Sequence, residues 1–313
     1  MLGYILRRIL ATIPVMAIVA MLVFSLLYLA PGDPAAVIAG DQATPEDIAR
    51  IRTNLGLDRP FFVRFVEWSG QILRGDLGTS IFTSLPVTAL ISQRIAPTLS
   101  LTLVTLLMSI LIAVPLGVLA AWKADSWIDR TIMAFAVVGF SVPVFVVGYV
   151  LAYVFALVLD WLPVQGYTPL SQGFWPWLQN LILPAVALGG IYIALIARIT
   201  RSAMLDVLQQ DYIRTARAKG LGQGTTLFVH ALKNAAVPIV TVIGLGLALL
   251  IGGAVVTESV FAIPGLGRLT VDAILRRDYP VIQGLVLMFS FVYVLVNLLV
   301  DISYTFLDPR IKY

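Results

Sequence analysis

Residues that carry chemistry are scarce in this chain. Its 313 residues include no cysteine and one histidine, His230, which excludes disulfides, thiolate metal sites and histidine clusters. Charged residues make up only 12% of the chain, whereas roughly 25% is typical of soluble proteins. There is no Ser-His-Asp arrangement and no G-x-x-x-x-G-K-[ST] phosphate loop. We therefore expect no catalytic or metal site in this chain and no ATP hydrolysis by it alone.

Apolar sequence is abundant instead. Hydrophobic residues account for 59% of the chain, and each of six uncharged runs is long enough to cross the ~30 Å hydrocarbon core as a helix. One run, 161–197, is too long for a single span. Its first half is rich in proline and glycine, so we expect a loop there and a span from about Leu181. The composition predicts six spans from the runs 9–32, 95–122, 131–159, 161–197, 234–257 and 279–300.

The first run follows Arg7 and Arg8, as the apolar part of a signal peptide would. It extends over about 22 residues, whereas a signal peptide has about 7–15 apolar residues. The proline-rich sequence that follows the run is also a poor cleavage site. We therefore expect a retained membrane anchor.

Basic residues are distributed unevenly between the two sides of the predicted bundle. With both termini on one side, the short connections of that side carry most of the Lys and Arg residues, among them Lys123, Arg130 and Lys219. On the other side, most arginines fall in one long loop, where the positive-inside rule weakens. The rule predicts cytoplasmic N- and C-termini, and it places the segment 211–238 in the cytoplasm.

The segment 31–94 is the only sizeable polar part of the chain. Thr44 and Pro45, followed by two acidic residues, predict a helix start, and a second amphipathic helix is expected from about Pro60. Two such helices cannot form an independent core, so we expect them to lie across the outer mouth of the spans. The segment is either a solvated spacer or a docking surface for an external solute-binding protein. We accordingly divide the chain into 1–93, an anchor with this extracytoplasmic segment, and 94–313, a five-helix core.

The cytoplasmic segment 211–238 is polar and basic, and it is patterned. A short helix is expected over 212–219, and the glycines that follow end it because glycine tolerates backbone angles that other residues resist. A second short helix is expected over 225–235, and Pro238 opens the next span. The pattern predicts a rigid protrusion that another protein could bind. We call the residues 211–238 the coupling loop; they form most of the wider cytoplasmic connection 201–236.

The coupling loop resembles the EAA loop of permease subunits in ATP-driven (ABC) importers. The matching positions are the small residue Ala216, the glycine Gly220 and the later Pro238. Arg214 stands where the family usually has an acidic residue, a departure typical of the peptide-permease branch. The resemblance implies docking into a cleft of an ATPase subunit, with His230 as a polar surface residue. The residues implied in this coupling are Tyr212, Arg214, Thr215, Ala216, Arg217, Ala218, Lys219, Gly220, Leu221, His230, Asn234 and Pro238.

A second signal lies at the end of the fifth predicted span. Glu258 lies at its outer boundary, and the residues that follow, up to Gly267, form a tight hydrophobic turn. This stretch resembles the peptide, nickel and glutathione permease branch of the importers, and the resemblance extends over 7–313. Further matching segments are 31–34, 75–78, 277–280, 297–301 and 308–310. The resemblance makes Glu258, Phe261, Gly252 and Gly253 candidates for the translocation path or an outer gate.

Two acidic residues near the spans have alternative roles. Glu258 either contacts solute or pairs with Arg268, and the sequence leaves both open. Asp301 is either an ion site, since charges inside membranes are costly, or a structural partner of a basic group. The structural role is favoured for Asp301, with Arg198 or Arg201 as the partner.

The resemblance implies an all-α integral membrane protein with the type I ABC importer permease fold, in a bacterial inner (plasma) membrane. The partners that it implies are a paralogous permease subunit forming a heterodimer, two ATPase subunits that bind ATP and Mg²⁺, an extracytoplasmic solute-binding protein and membrane lipid. No cofactor on this chain and no nucleic acid are expected. The alternative function is an ion-gradient-driven secondary transporter, which needs ionisable residues inside its spans, and most spans here have none. Di- or oligopeptides are the leading solute, with glutathione, nickel chelates, haem and opines open.

Overall fold

The computed structural model describes residues 2–29, 34–39, 43–54 and 56–307 of the chain. The matching segment 308–310 and most of 31–34 lie outside these residues. The described residues are mainly helical, with an isolated β-bridge between Thr79 and Pro86. The helices are α1 (Leu2–Leu29), α2 (Pro34–Ala39), α3 (Pro45–Asn54), α4 (Phe61–Leu73), α5 (Val87–Trp122), α6 (Trp127–Ser141), α7 (Val144–Leu151), α8 (Phe174–Leu208), α9 (Asp211–Ala218), α10 (Leu232–Asn234), α11 (Ala236–Gly253), α12 (Val255–Val260), α13 (Leu266–Arg276) and α14 (Tyr279–Leu307).

Four helical stretches are long and apolar enough to cross a membrane by themselves. They are Arg7–Leu27, Val87–Trp122, Phe174–Leu208 and Tyr279–Tyr304. Two further spans are formed only if each of two bent helix pairs counts as one. The pairs are Trp127–Ser141 with Val144–Val158, bent by 99°, and Thr225–Asn234 with Ala236–Gly252, bent by 66°. The described residues therefore contain four to six candidate spans, and two of the six are bent.

Proline explains the sharper of the two bends. Val142 has an extended backbone with ψ 128°, and Pro143 follows it as the residue before α7. A residue before proline is pushed away from the helical region, and proline has no N–H for the preceding turn. The run 131–159, expected as one span, is consequently split into α6 and a second helix, α7, which continues as the π-helical segment Ala152–Val158.

The polar connection before α8 is shorter than expected. It is irregular apart from a 3₁₀ turn at Leu170–Gln172, and α8 begins at Phe174 rather than near Leu181. Pro176 does not end the helix, because a proline in the first turn removes an N–H that has no partner within the helix. The prolines and glycines of 161–173 thus mark the loop correctly, and Pro176 belongs to the helix.

The chain divides into two compact units. The larger contains Pro97–Gly267 together with α14 from Leu295 onwards. In its core, Leu101 of α5, Leu181 of α8 and Leu250 of α11 are fully buried. Within a membrane such burial stabilises mainly through close packing, because lipid chains are as apolar as the side chains. The core thus fixes α5, α8 and α11 against one another.

The smaller unit contains Leu2–Ala96 and Arg268–Val294. Both helices predicted for the segment after the first span are present, as α3 and α4. On α4, the rings of Phe61, Phe65 and Trp68 contact Phe24 of α1, with centroid distances of 5.2, 5.5 and 5.2 Å. Aromatic pairs of this kind add about 0.5–1.5 kcal/mol each beyond their buried area. This aromatic cluster holds α4 on the first span.

Helix α3 begins as the sequence predicts. The Thr44 hydroxyl donates to the Asp47 carboxylate at 2.8 Å, and the Asp47 N–H lies 3.3 Å from the same hydroxyl. The Asp47 carboxylate also accepts from the Thr44 N–H at 3.3 Å, so each side chain satisfies the backbone N–H of the other residue. The hydrogen bonds from Thr44 also lower the pKa of Asp47 below its ordinary value.

Two of the segments that carried the family resemblance meet in the smaller unit. A Cβ on Gly78 would lie 3.7 Å from the Pro280 side chain. Next to them, the Ser80 hydroxyl donates to the Asp278 carboxylate at 2.5 Å, and both residues are buried. The segments 75–78 and 277–280 are therefore packing partners, which their separation in sequence does not reveal.

Candidate functional site

The coupling loop contains the helix that the sequence predicts. Helix α9 spans Asp211–Ala218, and Gly220, whose φ is +80°, turns the chain away two residues later. The Gly220 N–H donates to the Arg217 carbonyl at 2.9 Å, and the Leu221 N–H donates to the Ala216 carbonyl at 3.3 Å. This pair of bonds is the Schellman motif, which needs a left-handed residue at the glycine position. Gly220 is therefore required for its backbone angle, since no atom lies within 4 Å of a Cβ placed there.

One side of the coupling loop is anchored in the larger unit. Ile213 of α9 is 0% exposed, and Leu227 is also buried. They pack in one cluster with Val118 of α5, Met204 of α8 and Ile239 of α11. The loop is consequently packed against the ends of three long helices through one buried cluster.

The other side of the coupling loop is open. Tyr212 is 43% exposed and Phe228 is 54% exposed, and Val229 beside it is similarly open. The basic residues Arg214, Arg217 and Lys219 are exposed as well. An open surface that combines aromatic and basic side chains has the composition of protein interfaces. Sequence reasoning missed Phe228 and Val229, although apolar residues in a polar loop were the available signal.

The basic residues of this surface are only weakly paired inside the chain. Arg214 lies 3.5 Å from the Asp211 carboxylate, and its side chain is 74% exposed. A solvated pair of this kind contributes about 0–1 kcal/mol. Its cation therefore remains available to a partner.

The second half of the coupling loop is helical but not a regular α-helix. The segment predicted as a helix over 225–235 is π-helical at Thr225–Ala231 and continues as the short α10. The side chain of Asn234 donates to the His230 carbonyl at 2.7 Å. His230 is half-buried, and Asn234 and Pro238 are exposed. Pro238 lies in the first turn of α11 rather than before it, where its missing N–H costs nothing.

The second candidate region is the exit turn, which we define as residues 258–267. Glu258 is 0% exposed, and its carboxylate accepts a hydrogen bond from the Thr98 hydroxyl at 2.6 Å. The same hydroxyl accepts from the Leu266 N–H at 2.8 Å, so Thr98 joins both ends of the turn to α5. A Cβ on Gly265 would overlap the Glu258 carboxylate. Glycine is therefore needed at 265 for close approach.

The four residues expected at the path or outer gate are not equivalent. Glu258 and Phe261 are buried within the larger unit. Gly252, by contrast, is exposed, with open space around it. Gly253 is the last residue of α11. Of the other three residues, only Gly252 is open to a neighbouring molecule in this conformation.

An ion pair that the sequence analysis missed joins α6 to α8. Arg201 donates from Nε and Nη2 to the two carboxylate oxygens of Asp129, both at 2.6 Å. The Asp129 side chain is 4% exposed and that of Arg201 is 25% exposed. Arg201 is thus the partner of Asp129, although the sequence also makes it a candidate partner of Asp301. The separation of 72 positions in sequence hides such a pair.

The comparisons with known proteins concern the whole chain. The family model "Binding-protein-dependent transport system inner membrane component" matches residues 113–313, and the model for the N-terminal part of such components matches residues 1–102. The chain belongs to this family. The permease is 56% identical over 310 residues to the "Probable peptide ABC transporter permease protein y4tP" of Sinorhizobium fredii, which covers 99% of each chain.

Two further comparisons agree with this membership. The permease is 44% identical to the "Glutathione transport system permease protein GsiC" of Salmonella choleraesuis, over 100% of both chains. Its fold is similar to that of a chain of the MetNI methionine ABC transporter in an inward-facing conformation, with a TM-score of 0.60. That match covers 71% of the permease and 97% of the other chain at 18% identity, so it bears on the fold alone.

Membership confirms the resemblance found in the sequence and decides between the transport classes. The chain is an ABC importer permease, and the ion-gradient-driven carrier is not supported. As an inner membrane component with several apolar helices, it is a multi-pass protein of the bacterial inner membrane. The family also implies ATPase and solute-binding partners.

Proposed function

We propose that the coupling loop is the surface through which an ATPase subunit drives this permease. The observation that carries the proposal is the two-sided structure of the loop. Ile213 and Leu227 anchor one side, while aromatic and basic side chains are open on the other. A surface that is both rigid and open can bind a partner and also transmit force to the helices behind it.

The open residues divide the work of binding. Tyr212, Leu221 and Phe228 supply apolar contact area, which dominates the energy of small interfaces. Arg214, Arg217 and Lys219 supply charge complementarity to an acidic or polar rim, which governs partner choice and association rate. Ala216 is buried with Ile213 rather than open, so its small side chain permits close packing of α9 on the anchored side, and Gly220 directs the chain away from the end of α9.

The transmission step follows from the anchoring contacts. Closure of the ATPase pair on ATP displaces α9, and the buried contacts of Ile213 carry the displacement to α5, α8 and α11. Packed cores respond as units rather than deforming continuously, so the movement reaches the far ends of these helices. The path then opens outward.

The remaining architecture is part of the same proposal. The pair α6 and α7 with its π-helical continuation counts as one span and α11 as another, which with the four long helices gives six spans and cytoplasmic N- and C-termini. A paralogous permease subunit supplies the other half of the path, and membrane lipid surrounds the pair. Two ATPase subunits bind ATP and Mg²⁺, and this chain has no ATPase activity alone. An external binding protein delivers the solute, with α3 and α4 as the docking surface.

Peptides are the proposed solute. The relatives named above are described as peptide and glutathione permeases, and both match the permease over nearly its whole length. Glu258 holds the exit turn to α5 through Thr98 rather than meeting solute in this conformation. The gate role proposed for Phe261, Gly252 and Gly253 requires the exit turn to move during the cycle.

The coupling surface is tested by placing a charge within its apolar part. We expect Phe228→Asp to abolish co-purification of the ATPase subunits with the tagged permease and to stop uptake, because Phe228 is open and apolar. Gln223→Glu adds a charge at an exposed position of the same loop and is the matched control. Normal co-purification and uptake by Phe228→Asp would remove the basis of the proposal.

A further inference from the structure

Two arginines on α8, one turn apart, have contrasting environments. Arg201 is held by both oxygens of Asp129 at 2.6 Å. Arg198 is exposed, and no hydrogen bond or ion pair joins it to any residue within the described part of the chain. The protein thus neutralises one of two neighbouring cations and leaves the other open.

Arg198 lines a cavity between α6 and α8 of about 280 Å³. Its walls are mostly apolar, and Ser141 is the other polar residue. The Ser141 hydroxyl donates to the Val137 carbonyl at 2.8 Å, so it is occupied within α6. The lining residues are Met133, Ala136, Val137, Phe140, Ser141, Ala194, Leu195 and Arg198. Arg198 is therefore the only charge in this cavity.

Arg198 lies at the inner end of the span predicted from 161–197, three positions before the cytoplasmic connection 201–236. Its guanidinium stays protonated at any physiological pH, so a fixed positive charge stands at the inner end of the apolar cavity. Ionisable residues within spans generally face a water-filled cavity and mark a solute or ion pathway. The planar guanidinium fork also matches a carboxylate, to which it can donate two parallel hydrogen bonds.

We infer that Arg198 binds the carboxylate of the solute as it passes the cavity between α6 and α8. This inference rests on the proposed function, namely import of peptides. Peptides and glutathione, the solutes named for the relatives, share a carboxylate at the end of the chain. The cavity accepts one end of such a molecule, with the apolar walls of α6 against its terminal side chain. The site recognises the feature common to peptides of any sequence.

The absence of cysteine from the chain permits a direct test. Ser141→Cys introduces one thiol into the cavity with a change of a single atom. The complete importer carrying this variant is reconstituted in proteoliposomes and treated with an anionic or a cationic water-soluble thiosulfonate. Labelling of the permease is measured by mass spectrometry. We expect the anionic reagent to react about thirtyfold faster than the cationic one, because a unit charge roughly 8 Å away at an effective dielectric constant near 40 speeds the first about sixfold and slows the second about sixfold.

Variants then assign this preference to Arg198. Adding Arg198→Gln to the reporter removes the preference, and Arg198→Lys, which keeps the charge, retains it. Arg130→Gln removes an exposed cation of α6 that does not line the cavity, and it leaves the preference unchanged. Trialanine protects the thiol from labelling, whereas trialaninamide, which lacks the carboxylate, does not.

Each other outcome has a definite meaning. Equal labelling by both reagents overturns the inference. Labelling only by a lipophilic maleimide also overturns it and shows that the cavity faces lipid. Protection by acetate but not by trialanine supports a carboxylate site and refutes peptides as the solute. The failure of the site and the failure of the proposed function are thereby distinguished.

Discussion

The coupling loop and the exit turn are both glycine-containing connections between helices, and they are built for opposite purposes. In the coupling loop, Gly220 adopts φ +80° with open space around it. In the exit turn, Gly265 lies against the buried carboxylate of Glu258. The first glycine ends a helix on an open surface, and the second allows a segment to pack closely into the core. The surroundings of a glycine, rather than its presence, show whether it serves a turn or a close contact.

The largest expected effect is at Gly265, the most closely packed glycine of the exit turn. Gly265→Ala places a methyl group on the buried Glu258 carboxylate, which must shift, so we expect a loss of about 3 kcal/mol. The melting temperature in detergent measures the loss of stability, and gel filtration measures how much of the protein is folded. Gly252→Ala, at an exposed position with open space, is the control and leaves the melting temperature within error. Equal melting temperatures of the two variants would contradict the difference drawn between a closely packed glycine and an exposed one.

A smaller effect is expected at Thr98, whose hydroxyl holds the exit turn to α5. Thr98→Val removes the hydrogen bonds to Glu258 and Leu266 and costs about 2 kcal/mol, at roughly 1 kcal/mol for each buried bond. Thr102→Val is a matched control one turn away. Thr102 is equally buried, but its hydroxyl makes no hydrogen bond to any described residue, so its loss is neutral or stabilising. A similar melting temperature for both variants would show that Thr98 does not secure the turn.

At the end of α9 the effect on stability is smaller and the effect on transport is larger. Gly220→Ala meets no atom, and its cost is the left-handed backbone, about 1 kcal/mol. We expect normal membrane insertion with uptake uncoupled from ATP hydrolysis. Gly222→Ala, also in open space but without a positive φ, is the control. Uptake by Gly220→Ala at the rate of the unmodified protein would refute the role given to this glycine.

The smallest change in stability is expected on the open surface itself. Arg214→Ala breaks a solvated pair with Asp211, so the melting temperature changes by the equivalent of less than about 0.5 kcal/mol. Binding of the ATPase subunits should nevertheless weaken and lose part of its salt dependence. Titration of purified ATPase subunits at two ionic strengths measures both. An unchanged salt dependence would mean that Arg214 lies outside the interface.

Local sequence signals predicted the short elements well. The helix in the coupling loop, its end at Gly220 and the start of α3 at Pro45 follow from capping and turn residues within a few positions. The bend within the third predicted span was not predicted, although Pro143 inside the run was the available signal. The irregular helix at Thr225–Ala231 had no comparable signal, because a π-helical bulge reflects surrounding contacts.

Contacts between distant positions were beyond the sequence. Asp129 and Arg201 lie 72 positions apart, and Thr98 and Glu258 lie 160 apart. A single sequence shows which residues are charged, but it does not show which of two neighbouring arginines finds a partner. The distinction between Arg198 and Arg201, on which the carboxylate site depends, comes only from the packing of α6 against α8.

The sequence by itself determined that this chain lies in a membrane, that a patterned basic loop connects two of its spans and that it resembles ABC importer permeases. These properties follow from composition and from patterns within a few residues, and neither depends on how the helices pack. Only the tertiary structure decided that Ile213 faces inward while Tyr212 and Phe228 are open, and that Glu258 is sealed in the core. The physical reason is that burial and pairing depend on which helices come into contact, and that choice is made by the whole chain at once.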